Sequence, residues 1–206
     1  ETNPSSALEK TNLHLQNDNC ILYEAAIAFE GLFARVDILK KVGNTLELIE
    51  VKAKSYDPDD SDDQFYNQIS LKRGKHEIKS NWIKYLIDIA FQTYVARKAF
   101  PNVKVIPYLM MADKKSLATI DNLNQRFLIS QDNRGRTKIV VSTGTDLSTV
   151  GNQILVQVPV QDQVEVLFKE TTFQGGRSFS DLVKYLEGLR IRDEKGDACL
   201  NSDCKS

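Results

Sequence analysis

The sequence predicts an α/β fold on a mixed β-sheet, in which a three-stranded antiparallel meander is followed by a helix and another strand. Two tight-turn signals, Glu30-Gly31 and Gly43-Asn44, divide the first apolar stretch into three strands. A long segment with apolar residues at helical spacing then runs up to Pro101, and an apolar strand follows it directly. We therefore expect a sheet flanked by helices, with a β-rich insertion behind it.

The elements are expected in a definite order along the chain. The patterns predict a helix over 5–16, strands over 20–29, 32–40 and 45–53, an exposed acidic loop over 56–63, a helix over 81–100 and a strand over 103–111. Polar residues 112–151 form an insertion with a small hairpin, and 154–168 predicts a late strand. Ser178 can cap a final helix that carries Leu182, Val183, Leu186 and Leu189 on one face.

A length of 206 residues suits one domain over 1–198, with a core at about 20–111, the insertion at about 112–151 and the late strand and helix over 152–192. Residues 193–206 form a tail, and we expect the chain to belong to a longer polypeptide with other domains. Cys199 and Cys204 in this tail are either half of an iron-sulfur or metal site completed elsewhere, or part of an unstructured tail. The missing C-x-x-C spacing favours the tail.

Composition excludes several classes of protein. Hydrophobic residues make up 41% and charged residues 27%, as in soluble globular proteins. No apolar run is long enough to span a membrane and the first ten residues are too polar for a signal peptide, so we expect a cytoplasmic protein without a membrane partner. The net charge of −1 argues against coating nucleic acid by bulk electrostatics, so any such binding needs a local cleft.

Three charged residues of the meander indicate chemistry. Glu50 and Lys52 are two apart on the third strand, so they project from one face while Ile49 and Val51 point the other way into the core. Asp37, on the neighbouring strand, can lie beside them. Two carboxylates are hard ligands for Mg²⁺ or Mn²⁺ and the ammonium can stabilise a phosphate oxygen or orient water, as phosphodiester hydrolysis requires. Alternatively, Glu50 and Lys52 are solvated on the polar face of an edge strand.

Two further sets of charged residues are secondary candidates. Glu24 on the first strand is either an additional carboxylate for the metal or a structural partner of Arg35. Lys72, Arg73 and Lys75 lie between the acidic loop and the long helix, where a nucleic-acid backbone can pass. A solvated helix face explains the same basic run.

The segments 23–26 (YEAA), 34–39 (ARVDIL), 47–52 (ELIEVK) and 90–95 (AFQTYV) resemble in order and interval the motifs of RecB-like nucleases of the PD-(D/E)xK superfamily. They resemble most closely an uncharacterised bacterial family described as a domain of unknown function. The resemblance covers about 20–111. It implies a restriction-endonuclease-like fold and an Mg²⁺- or Mn²⁺-dependent nuclease. In it Asp37 and Glu50 bind the metal, the Val51 carbonyl joins them, and Lys52 is catalytic.

The helix motif departs from that pattern, because RecB-type sequences place Gln and Tyr farther apart than Gln92 and Tyr94. At this spacing the two side chains diverge on a helix, so Gln92 is the catalytic candidate and Tyr94 a secondary one that can equally be core. The predicted function is hydrolysis of nucleic acid, DNA in the first place, in repair, recombination or defence.

Two alternatives to this function stay open. One is an inactive nuclease-like module that binds nucleic acid or protein. The other is a metal-dependent phosphohydrolase acting on a nucleotide, for which no Gly-rich phosphate loop is visible.

Overall fold

The computed structural model describes residues 3–60, 65–133, 135, 137–142, 146, 148 and 150–195. Its strands are β1 (Asn19–Phe29), β2 (Leu32–Val42), β3 (Thr45–Tyr56), β4 (Lys104–Asp113), β5 (Phe127–Gln131), β6 (Thr137–Val141) and β7 (Leu155–Pro159). Its α-helices are α1 (Pro4–His14), α2 (Gln68–Leu71), α3 (Ser80–Ala99), α4 (Gln161–Lys169) and α5 (Phe179–Arg192).

Five strands form one mixed sheet in the order β1-β2-β3-β4-β7. β1, β2 and β3 pair antiparallel in sequence, β4 pairs parallel to β3, and β7 pairs antiparallel to β4. The parallel step is possible because α3 carries the chain back across the sheet between β3 and β4. The α/β class and the meander, helix and strand order predicted from the sequence are therefore confirmed, and β3 lies in the middle of the sheet.

One helix, α3, covers a face of the sheet and contacts β1, β2, β3 and β4. Its Leu86 and Ile89 are completely buried, as are Leu48 of β3 and Leu109 of β4. α4 packs on α3 and β4, and α5 packs on α4. The hydrophobic core therefore lies between this face and α3, α4 and α5, because burying their apolar side chains is the main favourable contribution to folding.

The first hairpin turn contacts the last turns of α5. Glu30 and Gly31 both have positive φ (45° and 86°), the combination that a two-residue hairpin turn requires. Arg190 of α5 donates a hydrogen bond to the Gly31 carbonyl at 2.9 Å. Glycine serves the turn because its φ of 86° is one that other residues rarely adopt.

The late strand predicted over 154–168 is confirmed only at Leu155–Pro159, and the rest of the prediction is wrong. β7 stops at Pro159, which has no N–H to continue the ladder, and α4 begins two residues later. Val160, Val164 and Leu167 are fully buried at spacings of four and three, which is the periodicity of a helix face. Continuous apolar character concealed this change of period in the sequence.

The polar insertion contains a hairpin, as the sequence predicts: β5 and β6 pair antiparallel as a separate two-stranded sheet. Cys199 and Cys204 lie outside the described residues. None of the helices in the described part of the chain combines the length and apolar character needed to cross a membrane.

The segment between the acidic loop and α3 is anchored by Tyr66. This side chain is buried, and its ring meets His76 edge-on at 5.5 Å. Burial raises the pKa of the phenol to about 12, and the charges of Asp162 and Glu170 add to the effect. The packing of this segment against α4 therefore requires a neutral Tyr66.

Replacing Tyr66 with Phe is expected to reduce the loss of stability in alkali. The unfolded chain loses the phenolic proton near pH ~10, whereas the folded protein keeps it up to a pKa of about 12. Tyr66 therefore contributes fully below that pH and costs about 2 kcal/mol of unfolding free energy by pH ~11.5. Urea unfolding at several pH values measures this difference.

The control is Tyr23→Phe, at an exposed position on β1, which should leave the pH dependence as it is in the parent protein. Equal alkaline losses in the parent protein and in Tyr66→Phe would contradict the burial of the neutral phenol.

Candidate active site

Glu50 is a buried carboxylate in the middle of the sheet. Glu50 is only 9% exposed. Its side chain lies on the same face of β3 as that of Leu48, which is the face that α3 covers. The alternative of a solvated residue on an edge strand is therefore wrong. On the opposite face Ile49 is buried as expected, but Val51 is 42% exposed, so the expectation that it points into the core is also wrong.

Lys52 neutralises this buried carboxylate. Its Nζ lies 2.8 Å from Oε1 of Glu50 and 2.8 Å from Oδ2 of Asp88 on α3. Burial by itself would lower the pKa of Lys52, but the hydrogen bonds and charges of Asp88 and Glu50 outweigh it and raise the pKa. Lys52 is consequently protonated at neutral pH. A permanent positive charge suits electrostatic stabilisation, whereas a general base must be unprotonated.

Gln92 holds the other oxygen of the same carboxylate. Its Nε2 donates to Oε2 of Glu50 at 2.6 Å from the buried face of α3. Its Oε1 is buried and has no hydrogen-bond partner among the described residues. A buried acceptor without a donor is costly. This atom is therefore suited to a donor that the protein itself does not supply.

Asp37 lies where β2 and β3 separate. The ladder between them runs from Val42 and Thr45 as far as Ile38 and Ile49, and Asp37 would be next opposite Glu50. Its Oδ2 instead accepts the Val51 N–H at 2.8 Å. The structure therefore places the Asp37 carboxylate against the peptide that joins Glu50 to Val51.

Glu24 lies opposite Asp37 in the register of β1 and β2 and has a positive φ of 53° inside a strand. Its carboxylate is exposed, and Oε2 lies 3.9 Å from Arg35 Nη1. A left-handed conformation costs a non-glycine residue about 1–2 kcal/mol. Such strain is concentrated at functional sites. Both earlier interpretations of Glu24 therefore retain support.

This strained position also reverses the faces of both strands. Leu22 and Ala25 of β1 both pack on the same core, although they are three residues apart, as do Val36 and Leu39 of β2. A regular strand alternates every residue, so the reversal at Glu24 and Asp37 is a local kink.

The donor atoms at this site are of the kind that a divalent cation shared with a ligand would use. Asp37, Glu50 and the Val51 carbonyl offer two carboxylates and one peptide oxygen, which are hard donors. The described residues contain no group of three or more His, Cys, Asp or Glu side chains arranged around a metal position. Mg²⁺ commonly takes only one or two protein carboxylates and completes its shell with water and phosphate. A closed structural metal site does not fit this donor set.

A cavity of about 380 Å³ opens beside the carboxylate. Glu50, Asp88 and Gln92 line one part of it, and Phe33 and Phe91 line the apolar remainder together with residues of α5. A molecule can therefore reach Glu50 from the gap between β2, α3 and α5.

The remaining candidates lie apart from this centre. Tyr94 packs in an aromatic cluster with Phe168 and Phe179, at ring separations of 6.5 and 6.2 Å. Lys72 and Lys75 belong, with Arg73, to an exposed turn after α2, and among the described residues no contact links them to Asp37 or Glu50. Their role in nucleic-acid binding stays a prediction.

Sequence reasoning missed Asp88. Its signal is its place four residues before Gln92, since residues at that spacing share one face of a helix. No protein-family model matches the chain, and no curated protein or solved structure is significantly similar to it. The function must therefore be argued from the site.

Glu24→Gly is expected to be more stable than Glu24→Ala by about 1 kcal/mol. Both changes remove the carboxylate and its contact with Arg35, but only glycine adopts the positive φ without a steric penalty. Urea unfolding of the two variants measures the difference.

The matched control is Glu47 in the regular part of β3. There the alanine variant should have the larger free energy of unfolding, by about 0.5–1 kcal/mol. If the alanine variant at Glu24 were the more stable one by the same margin as at Glu47, the strand would be unstrained there.

Proposed function

We propose that this protein is a metal-dependent nuclease of the PD-(D/E)xK superfamily with a restriction-endonuclease-like fold, and that its substrate is DNA. One observation carries the proposal: the buried Glu50 carboxylate shares a strand face with the Lys52 ammonium, and Asp37 lies against the adjoining peptide. Carboxylates for a cation and an ammonium for a phosphate oxygen are what phosphodiester hydrolysis requires.

The fold supports this proposal. A meander leads into α3, which crosses to β4 parallel to β3. This arrangement carries Asp37, Glu50 and Lys52 on the two strands in which the resemblance expects them. Because many functions share one architecture, the fold raises the weight of the proposal without carrying it alone.

Asp37, Glu50 and the Val51 carbonyl would hold Mg²⁺ or Mn²⁺. When bound, this metal polarises the phosphate and favours deprotonation of an attacking water. Asp37 is held in place by the Val51 N–H. Glu50 is held by Gln92, which is therefore a positioning residue.

Lys52 donates hydrogen bonds to a phosphate oxygen and stabilises the negative charge that grows there during the reaction. In the structure Lys52 donates these hydrogen bonds to Glu50 and Asp88. The Asp88 carboxylate is more than half exposed, so it is well solvated and loses little when a phosphate replaces it. Asp88 thus keeps Lys52 charged and oriented before substrate binds.

A second candidate function is a binding module that has kept this fold without activity. The observation in its favour is that Lys52 and Gln92 occupy both oxygens of Glu50. In such a protein the three polar side chains serve only to satisfy one another under α3. The two functions differ in whether the site takes up a cation.

The test is cleavage of labelled single-stranded and duplex DNA with Mg²⁺, Mn²⁺ or EDTA. Glu50→Gln and Lys52→Met should each lower the cleavage rate by about 100-fold or more, because each removes a charge from the reacting centre. The matched controls are Glu47→Gln and Lys40→Met, which break a 3.1 Å ion pair between β3 and β2. These controls should cut like the parent protein.

Electron paramagnetic resonance of Mn²⁺ separates the two candidates. The nuclease requires Mn²⁺ binding that weakens in Glu50→Gln. If the folded protein neither cuts DNA nor binds Mn²⁺, the nuclease proposal is wrong and the binding module is favoured. If Glu50→Gln cuts as fast as the parent protein, Glu50 is not part of the active site.

A further inference from the structure

Three lysines converge on one aromatic ring at the edge of the candidate active site. The Nζ atoms of Lys52, Lys54 and Lys84 lie 5.6, 5.5 and 4.9 Å from the centre of the Tyr85 ring. Lys54 also lies over Trp82 at 4.3 Å. These five residues are called the Tyr85 cluster, and they belong to β3 and the first half of α3.

The positive charge of this cluster is only partly balanced. Lys52 is paired with Glu50 and Asp88. Lys54 makes one long hydrogen bond, 3.5 Å to the Asn81 carbonyl, and neither Lys54 nor Lys84 has a carboxylate partner within the described ranges. Ring faces attract cations, but they do not neutralise them. These two ammonium groups therefore mark a position beside the Tyr85 ring where an anion can bind.

This position has a fixed place relative to Glu50. α3 runs antiparallel to β3, since Lys54 meets Asn81, Lys52 meets Asp88 and Glu50 meets Gln92. Lys54 follows Lys52 on β3, and both side chains reach the same Tyr85 ring, although the register of β3 with β4 shifts between Val51 and Ser55. An anion held by Lys54 therefore lies one step beyond a phosphate held by Lys52, on the side away from Gln92.

We propose that Lys54 and Lys84 bind the phosphate next to the one that is cleaved, so the ligand is a nucleic-acid strand with at least two consecutive phosphates. This inference rests on the proposed function, because the neighbouring phosphate is defined by the one at Lys52. Lysine binds phosphate as a point charge and does not distinguish bases. The site thus follows the backbone and is independent of sequence.

The experiment measures binding of a fluorescent oligothymidylate by anisotropy in EDTA, over a range of salt concentrations. Each phosphate contact adds about 0.7 to the slope of log affinity against log salt for a single strand. Lys54→Gln and Lys84→Gln should each lose affinity several-fold and reduce the slope by about that amount. A duplex of the same length in a parallel titration shows whether the site requires a single strand.

Lys98→Gln is the matched control. Lys98 lies over the ring of Tyr94 at 5.9 Å on the same helix, but at its other end. The affinity of Lys98→Gln and its salt slope should equal those of the parent protein. Thermal melting establishes that all three variants are folded. Unchanged affinity and slope in both Lys54→Gln and Lys84→Gln would overturn the inference.

Failure of the nuclease proposal has a different signature. In that case the parent protein does not cut DNA with Mg²⁺ or Mn²⁺, while the titrations in EDTA still show whether the Tyr85 cluster binds a phosphate backbone. If the protein cuts DNA but the two lysine variants bind like the parent, the nuclease proposal stands and the cluster is structural.

Discussion

The need to neutralise Glu50 under α3 constrains the rest of the structure. A carboxylate in a buried strand is tolerated only with hydrogen bonds and an opposite charge, and removing one partner typically costs several kcal/mol. Lys52 and Gln92 supply these interactions, and Asp88 accepts a second hydrogen bond from Lys52. Asp88 and Gln92 are four residues apart, so α3 must present one particular face to β3. The polar centre therefore sets the rotation of the helix.

The same helix satisfies a second requirement with its other residues. Leu86 and Ile89 alternate with the polar positions and fill the core against Leu48 and Leu109. Packing of α3 over the carboxylate reduces its contact with water on that side and strengthens its electrostatic interactions. A site of this kind gains precision from the core, because a shift of α3 that relaxed Leu86 would also move Gln92 away from Glu50.

Regular periodicity explains which parts were predictable from sequence. Alternation in β3 placed Glu50 and Lys52 on one face, and helical spacing separated Gln92 from Tyr94. Strand adjacency placed Asp37 beside Glu50 and Lys52, but the kink at Glu24 breaks the alternation of β1 and β2, so the hydrogen bond from Val51 to Asp37 was not predictable from a pattern. Asp88 escaped notice because an exposed acid on a helix has no signal until its partner across the sheet is known. The basic run at 72–75 was visible in the sequence because its charged residues are adjacent. Lys54 and Lys84 are 30 residues apart and come together only through the antiparallel packing of α3 on β3.

Charge separation explains how a nearly neutral chain can present a cationic surface beside its site. The acidic segment starts only three residues after Lys54, and its carboxylates would cancel that charge if they turned back. Asp57 and Asp59 instead lie 3.8 and 3.1 Å from the Nζ of Lys115, at the start of the insertion. The hydrogen bond from Lys115 to Asp59, together with the charge of Asp57, raises the pKa of that lysine. This local pairing reduces the negative field that Asp57 and Asp59 exert on Lys54. The insertion thus supports the proposed anion binding through Lys115, which pairs with two of the acids that follow β3.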